Sequence, residues 1–272
     1  VAPLFQAEEE DVMDAKRIGA VVGFGIAIAL SAVCCSKDGR MESGSSLVGP
    51  TESAAFHEAN LARITLPFDA SNFTNPAANP YFPITPGTEW SYVEHTDEGI
   101  ETNTVEVTHQ TKTILGVSVH VVHDRVYLNG SLKEDTFDWY AGDNDGNVWY
   151  FGEDTKEIEN GGVISTEGSW EAGKAGAQAG IIMLADPKVG DTYYQENAPG
   201  VVADQGKVQS LKETAVVPYG TFYPCLQTSE WTHLEPGNRS AKYYAAGIGV
   251  VLEVTPSGGQ HRVELVGFTP GR

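Results

Sequence analysis

Three groups of residues have types and spacings suited to chemistry. The first lies in Trp139–Asp154, WYAGDNDGNVWYFGED, where Asp143, Asp145 and Asn147 stand at alternate positions. Alternating oxygen ligands suit a hard cation such as Ca2+, and Asp154 falls where the twelfth residue of a calcium loop would close the shell. Two positions depart from an EF-hand loop. Val148 stands where the sharp bend requires Gly, and Asp154 is shorter than the usual bidentate Glu. The flanks read as strands, so the stretch reads first as a β-hairpin whose Asp and Asn side chains cap their own turn. The alternative is a calcium-supported hairpin in which Asp143, Asp145, Asn147 and Asp154 hold the ion.

The second group is His120-Val121-Val122-His123-Asp124-Arg125. His120, His123 and Asp124 are the candidate metal-ligating or general-base residues. Strand residues three apart face opposite sides, so a shared site needs a bulge between the histidines. The apolar phase does switch there, from Val117, Val119 and Val121 to Val122, Val126 and Leu128. Without that shared site they are exposed or hydrogen-bonded strand residues. The third group is aromatic: Trp139, Trp149 and Tyr150 are candidate ligand-binding residues. Trp90, Trp170 and Trp231 are further material for a pocket, or for plain core packing.

Short runs rich in Val, Thr, Tyr and Trp must position these groups. They alternate with Gly, Asn and Pro from Pro83 onward, the pattern of an antiparallel meander. Strands are expected over Thr104–Thr111, Val117–Leu128 (closed by the turn Asn129-Gly130), Thr136–Tyr140 and Val148–Phe151. Ala215–Pro218, Phe222–Trp231, Ala241–Val254 and Arg262–Phe268 follow, while the small-residue stretch Ala172–Gly180 reads as a loop. The 30 Gly, 14 Pro and 10% aromatic residues of the 272 fit a turn-rich β chain and disfavour a helical bundle.

Upstream, Lys16-Arg17 precede an uncharged small-and-apolar run, Ile18–Val33, and then Cys34 and Cys35. A basic segment before an apolar run has the layout of an export signal. The cysteines at its end resemble the lipidation site of a bacterial lipoprotein signal. Cys34 and Cys35 are the candidate lipidated residues, and a cleaved secretory signal and a retained anchor are the alternatives. Met13 reads as the natural start of this segment. The chain therefore divides into residues 1–35 (upstream residues and export signal), 36–80 (a flexible tether rich in Ser, Gly, Asn and Pro) and 81–272 (one β domain). Cys225 is the only cysteine beyond residue 35, so the domain holds no internal disulfide; among apolar neighbours it reads as a buried, inert thiol.

The formal charge of −20 disfavours general affinity for nucleic acid or anionic lipid head groups. There is no G-x-S-x-G elbow, H-E-x-x-H, Walker A or G-x-G-x-x-G segment, which sets aside serine α/β-hydrolases, zincins, P-loop enzymes and dinucleotide enzymes. Carboxylates are plentiful (Glu134, Asp135, Asp138, Glu153, Asp154), and a two-carboxylate glycosidase stays open.

Thr85-Pro86-Gly87-Thr88-Glu89-Trp90, Val217-Pro218-Tyr219-Gly220-Thr221-Phe222 and Tyr243-Tyr244-Ala245-Ala246-Gly247-Ile248-Gly249-Val250 occur in that order. Together with the acidic hairpin they resemble bacterial envelope proteins, secreted or lipid-anchored β-meander domains. The resemblance implies a strongly curved sheet or open barrel around an apolar interior, of the kind that holds a lipophilic ligand. Two functions are carried forward. One is an exported, lipid-anchored envelope protein that binds a small amphiphile, with calcium as a possible support. The other is a Ca2+-dependent hydrolase of a small lipophilic ester or lactone, for example an acyl-homoserine lactone, in which the metal does the work of the missing serine.

Overall fold

The computed structural model describes residues 63–234, 237, 239–255 and 261–272. The segment expected to be an export signal, including Cys34 and Cys35, lies outside the described residues. Apart from one 3-10 turn, Ala70–Phe73, the described secondary structure is β. The strands are β1 (Glu89–Thr96), β2 (Gly99–Ile114), β3 (Val117–Leu128), β4 (Ser131–Gly142), β5 (Val148–Asp154), β6 (Glu157–Glu159), β7 (Gly162–Ser165), β8 (Trp170–Glu171) and β9 (Gly180–Met183). After a long connection come β10 (Thr192–Tyr194), β11 (Asp204–Val217), β12 (Gly220–Thr232), β13 (Arg239–Ala245), β14 (Gly249–Thr255) and β15 (His261–Thr269).

All belong to one antiparallel sheet whose main path runs β10-β11-β12-β13-β14-β15-β1-β2-β3-β4-β5-β8. Two meanders are thus spliced where the last strand meets the first, with Glu89 opposite Thr269 and Val93 opposite Glu264. The sheet is not closed. At its two ends the chain just before β9, a strand that pairs with β5, approaches the segment after β10 through an isolated bridge, Gln178 to Asn197. The hairpins follow their turn residues. Asn129-Gly130 connects β3 to β4 with both residues at positive φ, 51° and 81°, as a tight two-residue connection requires.

β3 coincides with the span expected from its sequence. The phase switch in β3 is real: Val121 and Val122 are both buried, and opposite them β2 bulges between Val107 and Thr111. Ala241–Val254 is not one strand, as expected, but two. The chain reverses after Ala245, and Gly247 and Gly249, at φ 79° and 98°, supply the backbone freedom for the turn. Residues 63–80, on the tether side of the sequence-drawn boundary, lie against the sheet. The Ile64 amide donates to the Thr192 carbonyl, and Phe68 and Phe73 pack edge-on against Trp149 and Phe151.

The enclosed face is apolar along one part, where Trp90, Val105, Val107, Val122, Tyr140, Leu226, Tyr244, Val251 and Leu265 meet. Further along the same strands it turns polar. Trp90 and Tyr92 are followed in phase by Glu94; Val107 and Val105 are preceded by Asn103 and Glu101; Tyr140 by Asp138, Thr136 and Glu134. The expectation of an apolar interior is corrected here. Besides Asp143 in its turn, ten carboxylates (Glu94, Glu101, Asp124, Glu134, Asp138, Glu153, Glu196, Asp204, Glu230, Glu253) are buried, and Lys242 is the one buried lysine or arginine among the described residues.

Candidate functional site

The four residues expected to hold calcium are not gathered at one point. Asp143 commits its carboxylate to its own turn. Oδ1 accepts from the Asp145 and Asn147 amides at 3.0 and 2.8 Å, and Oδ2 from Asn147 Nδ2 and Trp149 Nε1 at 2.8 and 2.9 Å. Asp145 accepts from Asn72, and the Asn147 side-chain Oδ1 accepts from the Ala185 amide. Asp154 lies at the other end of β5, opposite Phe137, where it meets Lys156 at 3.1 Å. Among the described residues no group of three or more His, Cys, Asp or Glu is arranged to hold a metal ion.

His120, His123 and Asp124 are likewise separated, by the alternation of β3. His123 is half-buried, stacked on Phe137, and its Nε2 meets Asp135 Oδ1 at 2.6 Å. Asp124 faces the enclosed side and accepts a hydrogen bond from Asn103. His120 leaves Nδ1 buried without a partner, and burial lowers its pKa. The bulge opposite Val121 leaves the two histidines on separate neighbours.

The three aromatic residues reach three different environments. Trp149 packs under Phe68 and Phe73 and donates to Asp143. Tyr150 stacks on Tyr140 and donates its hydroxyl to Asp138 at 2.6 Å. Trp139 lines a pocket of about 430 Å³.

That pocket lies at the seam of the open sheet. β4 and β5 contribute Trp139, Glu153 and Asp154; β8 contributes Trp170 and Glu171; Ala198, Pro199 and Val201 come from the chain between β10 and β11. Gly152 makes this geometry possible. It sits at φ 122° where the Trp170 carbonyl passes, so a Cβ there would collide with backbone. At the rim Glu171 Oε2 joins Lys112 at 2.9 Å and Lys174 at 2.8 Å, and Lys112 Nζ stands 3.2 Å from the centroid of the Trp139 ring.

Two groups lining the pocket lack hydrogen-bond partners. Glu153 is 1% exposed and both carboxyl oxygens are unpartnered; the Trp170 indole Nε1–H is buried and unpartnered too. Buried polar groups ordinarily find partners, so orphans in a pocket wall mark places where a bound molecule can supply them. Glu153 also faces Asp138 directly across the β4–β5 ladder. Burial pushes the Glu153 carboxyl well above its ordinary pKa, and Glu196, Asp138, Glu134 and Asp204 push it the same way. Burial raises Asp138 too, to about 7, against the pull of hydrogen bonds from Tyr150 and Tyr140 and the charge of Lys242. Lys242 belongs to Glu230: Nζ lies 2.9 Å from Oε2, while Gln195, Thr228 and Tyr244 all donate to Oε1. Burial opposes the charge on Glu230, but Lys242 and these donors outweigh it and hold the pKa below its ordinary value.

The sequence reading named Glu153 among the carboxylates and Trp170 as pocket material, but it missed their meeting in one pocket and the buried acids as a set. Their signal was present: an acid recurring in phase with the apolar positions of an alternating strand, as Glu94 does after Trp90 and Tyr92. In a chain with 37 acidic residues that phase is easily lost among solvent-facing carboxylates.

No family model matches the chain. No curated protein matches it either. Among solved structures, an exported protein with a YmcC-like fold from Bacteroides fragilis is 14% identical, with a TM-score of 0.40 over 72% of this chain and 100% of that one. A lipoprotein from Parabacteroides distasonis is 11% identical, with a TM-score of 0.39 over 71% of this chain and 100% of that one. At these values both are partial likenesses of β architecture, and neither bears on the chemistry of the seam.

Proposed function

We propose that this chain is an exported envelope protein, tethered by lipid at Cys34 or Cys35, whose β domain binds a small amphiphilic molecule at the seam pocket. The export half rests on the sequence: Lys16-Arg17, the apolar run Ile18–Val33 and the cysteines that end it. The binding half rests on one observation, the coincidence in one pocket of two tryptophans with the unpartnered Glu153 carboxyl and Trp170 indole N–H. Its volume of about 430 Å³ falls within the range of small-molecule sites. Trp139, Trp170, Ala177, Ala198 and Val201 give an aliphatic chain an apolar bed. The two orphan groups call for a polar head that satisfies both a carboxyl and an indole N–H.

Native mass spectrometry of protein extracted under mild conditions tests this. A co-purifying small molecule is expected, retained by the native protein and lost from a Val201→Trp variant, in which the new indole fills the mouth. A bare protein mass, together with failure of a fluorescent amphiphile to bind, would overturn the reading.

A further inference from the structure

We propose that the head group bound in the seam pocket is an organic ammonium, received by Glu153 against the tryptophan walls. This rests on the pocket being a ligand site and goes on to name the charge of what it takes. Three observations carry it. The first is the imbalance of the enclosed face, where, among the described residues, ten buried carboxylates stand with one buried lysine, Lys242, already engaged by Glu230 at 2.9 Å. The second is Glu153, which lines the pocket with both oxygens unpartnered and has no cation beside it. The third is the wall itself: an ammonium already sits on an indole here, Lys112 Nζ over Trp139, so the site suits the cation–π contact that an alkylammonium makes.

A carboxylate or phosphate head would enter a region already crowded with like charge. A neutral hydroxyl head would hydrogen-bond either form of Glu153 but would leave the charge of its carboxylate uncompensated. An ammonium donates to the carboxyl and supplies the missing positive charge, and such charge-assisted hydrogen bonds are about twice as strong as neutral ones. The lysines at the rim do not cancel this, because Lys112 and Lys174 both converge on Glu171.

The proposal has a pH signature. The charged groups that bear on Glu153 are Glu196, Asp138, Glu134 and Asp204; Tyr140 and Tyr150 line the same face, and Lys242 acts on Asp138. With its pKa raised, Glu153 holds its proton in the empty pocket. Ammonium binding favours the carboxylate and releases that proton, so affinity rises with pH while an alkylammonium stays charged to about pH 10.

Calorimetric titration with octylammonium, octanol and octanoate from pH 5 to 8 tests the inference. Octylammonium is expected to bind about tenfold tighter than octanol or more, and to gain affinity as pH rises. Octanoate is expected to bind weakest, and octanol to show little pH dependence. Glu153→Gln should abolish the preference for the ammonium while leaving octanol bound; if that variant does not fold, the pH profile of the native protein decides. Equal binding of octanol and octylammonium with no pH trend would overturn the ammonium assignment and leave the pocket as a ligand site. Octylammonium binding undiminished in Val201→Trp would place it on the acidic surface and overturn the assignment as well. No binding of any of the three would overturn the ligand site with it.

Discussion

Asp143 shows how a residue suited to a cation becomes a structural fastener. Four N–H groups of its own hairpin converge on its two oxygens. Replacing it by alanine leaves those donors unanswered, and we expect Asp143→Ala to lower unfolding free energy by about 2–4 kcal/mol, read by urea denaturation. Lys242 is the other residue on which much depends. Lys242→Met strands Glu230 as an uncompensated buried charge, at a cost of about 3–5 kcal/mol. A Lys242→Met, Glu230→Leu double variant should recover part of that loss, since the Glu230 carboxylate is then no longer left buried without its cation, while Gln195, Thr228 and Tyr244 lose their acceptor. Equal destabilisation in the single and double variants would show that the pair is not what holds this region. The strand-like flanks of DNDGN already favour a self-capped turn over a metal turn. What the sequence does not show is that Asn147 Nδ2 and Trp149 Nε1 are the groups that cap Asp143, and that is a matter of three dimensions.

The strands were the most legible elements. β3 follows from its apolar pattern and the Asn129-Gly130 turn, and the acidic turn does join two strands, β4 and β5. The division of Ala241–Val254 into β13 and β14 was hidden because Ala245-Ala246-Gly247-Ile248 carries no polar turn residues, only the freedom of glycine. β8 and β9 were equally hard to see. They are short, and β8 exists because Gly152 lets the Trp170 backbone come close. At this scale Gly152→Ala is the informative change. It should displace β8 and the Trp170 side chain with it, weakening amphiphile binding at least about tenfold while the rest of the sheet stays folded. Tryptophan fluorescence against far-UV circular dichroism separates the two effects; unchanged binding would show that β8 does not build the pocket. The packing of residues 63–80 was illegible for a different reason. Its contacts, such as Arg63 Nη2 on Gln205 and Phe73 on Trp149, reach across more than 70 positions of sequence.

At the scale of the whole molecule, the described residues form a β-sheet whose two ends do not fuse, with acids enclosed behind the seam. That enclosure makes its stability depend on pH. Burial raises Glu134 and Glu253 to about 7, with hydrogen bonding from Thr136 and the charge of Lys242 opposing it, and Asp138 reaches about 7 as well. Between the ordinary carboxylate range and about 7 the folded form holds more protons than the unfolded one, so stability falls as pH rises through that window. Below the ordinary range both forms are protonated and the contribution of these groups is fully present. Calorimetry should therefore give a higher Tm at pH 5 than at pH 8, and a Tm that rises over that range would contradict the burial of these acids. The central claim, that the seam is a ligand site, is tested most directly by a crystal soaked with a bromine-tagged octanol and measured at the bromine edge. The prediction is an anomalous peak between Trp139 and Trp170, absent from Val201→Trp. No peak there, or peaks only on the outer surface, would contradict it.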